Sequence, residues 1–127
     1  VLEKDFSSIH AKETFGSLVN LVAQSSRNVF PVLDEQNKLI GMVTLDDIRA
    51  VMFDQSLYES TFVEDYMSPI PDRVNLTEKM DTVLRKFEQT GAWNLPVVNQ
   101  KSEYVGFLSK SKIFSVYRDL LTQKVNH

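Results

Sequence analysis

The chain has 127 residues, of which 43% are hydrophobic and 24% charged, so it has a globular composition and can bury a real core. Its net charge of −3 gives no basic surface for nucleic acid, and the lack of cysteine excludes disulfides and thiol chemistry. No apolar run approaches the roughly 20 residues of a membrane span, and the charged start is unlike a signal peptide. The first residue is valine rather than methionine, which suggests a fragment of a longer chain.

The first half of the chain predicts the order strand, helix, strand, strand, helix. Apolar residues at helical spacing favour a helix over residues 13–24, which the polar run 25–28 ends. Two apolar runs separated by the turn 34–37 are typical of buried strands. The predicted elements are a short extended segment around Ser8 and Ile9, the helix 13–24, strands at Val29–Leu33 and Leu39–Thr44, and a helix over 46–53.

The second half predicts the same order after a link over residues 55–71, which has a helical turn at 63–67. Gly91 is placed to end the first helix of this half, as glycine commonly does at a helix C-terminus. The predicted elements are an opening segment at 74–76, a helix over 78–89, strands at Asn94–Val98 and Tyr104–Ser109, and a closing helix over 110–123.

The two halves are copies of one unit. Pro96 follows Pro31 by 65 residues, and Gly106 follows Gly41 by the same 65. A fixed period indicates repeated units that bury their apolar faces together. The sequence therefore predicts an α/β (α+β) fold of two β-α-β-β-α repeats, 1–60 and 61–127. The repeats are expected to be related by pseudo-two-fold symmetry and packed through their sheets as one module.

This unit resembles the CBS domain, named after cystathionine β-synthase. The resemblance lies in the β-α-β-β-α order, the Pro-Val strands, and the run Gly-h-h-(Thr/Ser)-x-x-Asp (h, apolar) that starts at Gly41. The segment 63–67 resembles the one that commonly opens such a domain. CBS domains occur in tandem pairs, the Bateman modules, so the resemblance implies a regulatory module and no catalyst.

A narrower resemblance is to the C-terminal cytoplasmic CBS pair of bacterial CLC-type chloride channels and transporters. It rests on the local amino-acid sequence of residues 27–32, 43–49, 90–98 and 106–114. It implies a transmembrane channel domain of the same chain, upstream of this fragment, and a position on the cytoplasmic side of the membrane. CBS pairs also accompany magnesium transporters, enzymes, kinases and transcription regulators, so other parents stay open.

The family resemblance implies an adenine nucleotide (AMP, ADP or ATP) as a ligand in the cleft between the repeats, with no required cofactor. Carried over position by position, Thr44 and Asp47 would contact phosphate and ribose, because a carboxylate can accept hydrogen bonds from ribose hydroxyls. The opposing strand ends would supply Asn75, Thr77, Ala92, Trp93 and Asn94.

The second cleft departs from the family pattern. Ser109 keeps the hydroxyl, but Lys112 stands where the carboxylate should be. Lysine has three donors and no acceptor, so it cannot replace a carboxylate at a ribose but could attract a phosphate. The opposing residues would include His10 and Asn28.

Simpler interpretations of these residues also stand. Thr44 and Asp47 could do no more than cap the helix that follows, and Trp93 could be a core or interface anchor. Lys110 and Lys112 could be solvated charges. Neither histidine has metal-ligand spacing to another residue, and no nucleophile motif or phosphate loop is present. The sequence therefore predicts no catalytic residues and no metal site, and the chain is not expected to be an enzyme.

The alternative function is structural, without a ligand. CBS pairs resemble flattened discs that dimerise through their helices, and closed homodimers are the commonest assemblies. The large side chains expected on that helical surface are Met52, Phe53, Phe114 and Tyr117.

Overall fold

The computed structural model describes residues 2–3, 8–113, 115 and 118. It contains two small mixed sheets with helices packed on them, which confirms the predicted fold class. The first repeat consists of β2 (Ile9–His10), α1 (Phe15–Gln24), β3 (Val29–Leu33), β4 (Leu39–Thr44) and α2 (Leu45–Ile48), and the second of β5 (Val74–Asn75), α3 (Met80–Thr90), β6 (Asn94–Val98), β7 (Tyr104–Ser109) and a helix that begins at residue 110. Most of the predicted closing helix lies outside the described residues, and none of the described helices is long and apolar enough to cross a membrane.

The duplication extends to the hydrogen-bonding register of the sheets. Ile9 pairs in parallel with Val32, and Val74 pairs in parallel with Val97. Each central strand then pairs antiparallel with the last strand of its repeat, and both pairings shift register after the same position. The repeat period in the sequence is therefore a repeat of backbone geometry.

The predicted helix over 46–53 is shorter in the structure. Regular helix covers only Leu45–Ile48, and a 3₁₀ turn follows at Gln55–Leu57. The hydroxyl of Tyr58 donates to the carbonyl of Met52 at 2.6 Å, and Asp54 caps the 3₁₀ turn through the backbone N–H of Ser56. These local bonds compete with the i to i−4 ladder, so the chain turns instead of continuing as helix.

The chain just before the first parallel strand of each repeat, at residues 2–3 and at residue 68, pairs with the sheet of the other repeat, and these residues are called the opening segments below. The strand β1 (Leu2–Glu3) lies antiparallel to β7, with Glu3 opposite Phe107. Ser68 lies opposite Met42 on β4, with N–H···O distances of 2.8 and 3.1 Å between their backbones. Since 65 residues separate Ser68 from Glu3 as they separate Phe107 from Met42, the two exchanges are equivalent. Nothing in the repeat pattern of the sequence predicts this exchange.

Each repeat has its own core, and the two sheets meet between them. The first core is sealed by the link, because the ring of Tyr66 stacks on that of Phe15 with centroids 4.3 Å apart. Buried members of the first core are Ile9, Ala11, Phe15, Leu18, Val32, Val43, Ile48 and Val63, and those of the second are Val74, Val83, Phe87, Leu95, Val97, Leu108 and Ile113. Side chains from both sheets join in two further clusters, around Met42 with Phe107 and around Leu33, Leu39 and Val98. The predicted packing through the sheets is therefore present.

The two hairpin turns also bind each other. The N–H of Leu39 donates to the carbonyl of Ser102 at 3.1 Å, and the N–H of Tyr104 donates to the carbonyl of Asn37 at 3.5 Å. Asn37 and Ser102 occupy equivalent positions and have φ values of 63° and 65°. Asparagine tolerates this left-handed backbone better than serine does.

Ser102→Gly is therefore expected to raise the free energy of unfolding by about 0.5–1 kcal/mol, since glycine adopts positive φ without steric cost. Urea denaturation followed by circular dichroism measures the change. Asn37→Gly is the matched control at the equivalent position, and its effect should be smaller. A destabilised Ser102→Gly variant would contradict the expected relief of strain.

Candidate functional site

The junction between β4 and α2 holds the predicted Thr-x-x-Asp pair. The hydroxyl oxygen of Thr44 accepts from the N–H of Asp47 at 3.2 Å, and Oδ2 of Asp47 accepts from the N–H of Thr44 at 2.9 Å. This reciprocal arrangement is a capping box, so the simpler interpretation of the pair as a helix cap describes real contacts. It leaves Oδ1 of the exposed Asp47 without a hydrogen-bond partner among the described residues.

Ser68 is a member of this site that sequence reasoning missed. Its hydroxyl donates to Oδ2 of Asp47 at 3.3 Å. Ser68 belongs to the segment that opens the second repeat, so the contact joins the two repeats at the Thr44 junction. One signal in the sequence pointed towards Ser68. The segment 63–67, which resembles the start of a CBS domain, ends at the residue before it.

The predicted opposing residues divide between the two ends of the second sheet. Asn94 pairs with Ser109, so Ala92, Trp93 and Asn94 lie at the end where β7 runs into its helix. Trp93 is 72% exposed, and Nζ of Lys110 lies 5.2 Å from the centroid of its ring. An exposed ring of this kind is not a core anchor within the described part of the chain.

Asn75 and Thr77 lie at the other end of that sheet. Asn75 pairs with Val98, and its side-chain oxygen accepts from the N–H and the hydroxyl of Thr77 at 3.1 and 2.9 Å. The length of β6 separates them from Asn94 by about 13 Å, at 3.3 Å per residue. The predicted set is therefore not brought together, because both residues of β5 pair near the hairpin end of β6, Val74 with Val97 and Asn75 with Val98.

The second predicted cleft is divided in the same way. His10 pairs with Leu33 at the hairpin end of the first sheet, where its Nε2 lies 2.9 Å from Oδ1 of Asn37. Asn28 lies at the opposite end, where its carbonyl accepts from the N–H of Leu45 at 2.8 Å. The structure therefore separates His10 from Asn28 and places Asn28 beside the Thr44 junction of its own repeat.

Ser109 and Lys112 form the counterpart of the Thr44 junction. The hydroxyl oxygen of Ser109 accepts from the N–H of Lys112 at 3.1 Å, which repeats half of the capping box. Lysine has no acceptor for the returning bond. The asymmetry predicted between the two clefts is thus visible in how the two helices begin.

Cavities lie beside the Thr44 junction and at the hairpin ends of the sheets. One of about 260 Å³ is lined by Asn28, Val29, Thr44, Leu45, Asp46 and Arg49. Larger ones of about 350 and 380 Å³ lie near the hairpin turns, at His10 and at Thr77. Thr44 lines the smaller cavity, and its backbone N–H donates to Asp47, so this cavity lies next to the predicted pair. Among the described residues, no three His, Asp or Glu side chains are placed to hold a metal ion.

Comparisons with known proteins identify the family. The sequence profile of the CBS domain matches residues 1–54 and 63–119, so the chain belongs to the CBS domain family and is a tandem pair. A homoserine O-acetyltransferase of Methanococcus vannielii is 24% identical over 113 residues, which are 89% of this chain and 23% of that enzyme. The chain thus spans about a quarter of that relative.

Solved structures share the fold. CBSX2 in complex with AMP has a TM-score of 0.73 and 20% identity, covering 94% of this chain and 93% of its own. The cytosolic domain of the Mg²⁺ channel MgtE in complex with ATP has a TM-score of 0.76 and 19% identity, covering 91% of this chain and 46% of its own. At these identities the likeness shows the fold.

Proposed function

We propose that this CBS pair senses an adenine nucleotide in the cleft that contains Thr44 and Asp47. The observation that carries the proposal is the carboxylate of Asp47, which is exposed where the repeats meet. Its Oδ2 accepts from Thr44, and none of the described residues forms a hydrogen bond with its Oδ1, so Oδ1 is available to a ligand. A carboxylate in this position can accept hydrogen bonds from both hydroxyls of a ribose. The proposal is supported by the two similar structures that contain AMP and ATP.

Binding would have a regulatory effect because Asp47 contacts Ser68 of the second repeat, so a nucleotide on Asp47 would lie where the two repeats meet. A ligand that contacts both repeats favours the arrangement in which both contacts are made, and a partner that distinguishes this arrangement can respond. The shared cluster of Met42 and Phe107 and the paired hairpin turns connect the same two repeats. The chain itself would perform no reaction in this function.

Isothermal titration calorimetry of the chain with AMP, ADP and ATP tests the proposal, with a thermal melt in each nucleotide as a second measurement. Binding should release or absorb heat and raise the melting temperature, because a ligand that binds only the folded state stabilises it. GMP, with the same ribose and phosphate but another base, is the control for adenine recognition. No heat and no change in melting at millimolar nucleotide would refute the proposal.

A structural role in dimerisation is the second candidate. Phe53 is 82% exposed, so its ring is available for contact with a second copy of the chain. Met52 is partly buried against the first core, and Phe114 and Tyr117 lie outside the described residues. Sedimentation velocity decides this candidate, since a monomer at high concentration would count against it.

The chloride-channel parent is also part of the proposal. It is supported by the local amino-acid sequence of segments such as 90–98 and 106–114. The similar proteins named above are instead an acetyltransferase and other CBS proteins. The chain would then be the cytoplasmic domain of an integral membrane protein. Detection of the native protein by antibody in the membrane fraction, at a mass well above that of this chain, is the expected result, and detection in the soluble fraction would contradict it.

A further inference from the structure

Asp47 is held by two donors that come from different segments of the chain. The N–H of Thr44 and the hydroxyl of Ser68 both donate to Oδ2, at 2.9 and 3.3 Å. Two bonds to one oxygen fix the plane of the carboxylate and direct Oδ1 away from both donors. An exposed aspartate with the Thr44 bond alone would rotate more freely and would lose more entropy on binding a ligand.

The backbone of Ser68 is fixed independently of its side chain. Two backbone hydrogen bonds to Met42 hold it against β4, and Gly41 provides the room, since a Cβ there would lie 3.1 Å from the carbonyl oxygen of Ser68. The half-buried link residue Tyr66 packs on the first core just before this segment. The position of the Ser68 hydroxyl therefore depends on how the opening segment of the second repeat packs against β4 of the first repeat.

The second repeat provides an internal comparison. The register positions equivalent to Asp47 and Ser68 hold Lys112 and Glu3. In the second repeat the helix position therefore holds a donor, Lys112, in place of the acceptor Asp47. The edge-strand position holds an acid, Glu3, in place of the donor Ser68.

The geometry points to Ser68 as the positioning residue of the nucleotide cleft, which orients Asp47 for the ribose and makes nucleotide affinity depend on the seating of segment 67–68 on β4. This inference rests on the proposed function. It adds the residue that prepares the carboxylate, and it identifies the contact through which binding affects the arrangement of the repeats.

Calorimetric titration with AMP and with 2′-deoxy-AMP tests the inference on the wild-type chain and on Ser68→Ala, Ser68→Thr and Ser60→Ala. Ser68→Ala should weaken AMP binding about tenfold, the effect of one hydrogen bond to a charged group. It should weaken 2′-deoxy-AMP binding much less, because that ligand lacks one of the hydroxyls that Asp47 accepts. Ser68→Thr keeps a hydroxyl and should bind like wild type. Ser60, whose hydroxyl donates to the carbonyl of Ser56 on the link, is the matched control and should have no effect.

The outcomes separate the inference from the proposed function. If the wild-type chain binds AMP and Ser68→Ala binds it equally well, the inference fails and the proposed function stands. If Ser68→Thr is as weak as Ser68→Ala, or if both ligands weaken equally together with a fall in melting temperature, Ser68 is only structural. If the wild-type chain binds no adenine nucleotide, both are overturned.

Discussion

Asp47→Asn is expected to weaken adenine nucleotide binding at least tenfold while leaving the fold intact. The asparagine carbonyl can still accept from the N–H of Thr44 and the hydroxyl of Ser68, so the helix cap survives. The negative charge that strengthens hydrogen bonds from ribose hydroxyls is lost, and bonds to charged groups are worth about 1.5–3 kcal/mol. Calorimetric titration with AMP measures the loss, and circular dichroism confirms the fold.

Two variants serve as controls for this prediction. Asp65→Asn makes the same change in another capping arrangement, where Oδ2 of Asp65 accepts from the N–H of Phe62 at 2.8 Å. Lys112→Ala changes the equivalent position of the second repeat. Both should bind AMP nearly as well as the wild-type chain. A loss of binding in Lys112→Ala larger than in Asp47→Asn would move the nucleotide to the other cleft.

Phe15→Ala is expected to lower the free energy of unfolding by about 3–5 kcal/mol, the range for truncating a buried phenylalanine. Phe15 is fully buried at the start of α1. Its ring stacks on Tyr66 at 4.3 Å and meets Tyr58 edge-on at 5.9 Å, so its removal also loosens the link from the first core. Urea unfolding followed by far-ultraviolet circular dichroism measures the loss.

Met80→Ala is the control for the phenylalanine variant. Met80 occupies the equivalent position at the start of α3, but it is only partly buried against the second core. Its truncation should therefore cost clearly less. Equal losses in the two variants would mean that the cores are equally dependent on this position and that the aromatic contacts add nothing.

The strands and the repeat could be predicted because local pattern and offset agreed. The four long strands have the predicted bounds, and Gly91 ends α3 with φ at 67°, as its position after a helical pattern indicated. Thr44 and Asp47 could be selected because the hydroxyl and the carboxylate stand three residues apart at a strand-to-helix junction. These features depend on neighbours in the sequence, which is the information a single chain contains.

The remaining features depend on contacts between distant segments. The exchange of Leu2–Glu3 and Ser68 between sheets is decided by which edge is free, and nothing in either segment specifies that edge. The positions of Asn75, Thr77 and His10 could not be predicted for a related reason. Their assignment to the clefts did not use strand direction, and the parallel pairing places these residues at the hairpin end of each sheet. Strand direction in the assembled sheet is a tertiary property.

The exchanged opening segments also set the order in which this chain can fold. The hairpins β3–β4 and β6–β7 close over few residues, whereas Leu2 pairs with Leu108, more than a hundred residues further along. The entropy of closing so long a loop makes this pairing a late event. During synthesis, residues 2–3 must wait for β7 to be made, and until they pair with β7 its open edge can pair with the strand of another molecule. The last step of folding is therefore the one that protects the protein from aggregation.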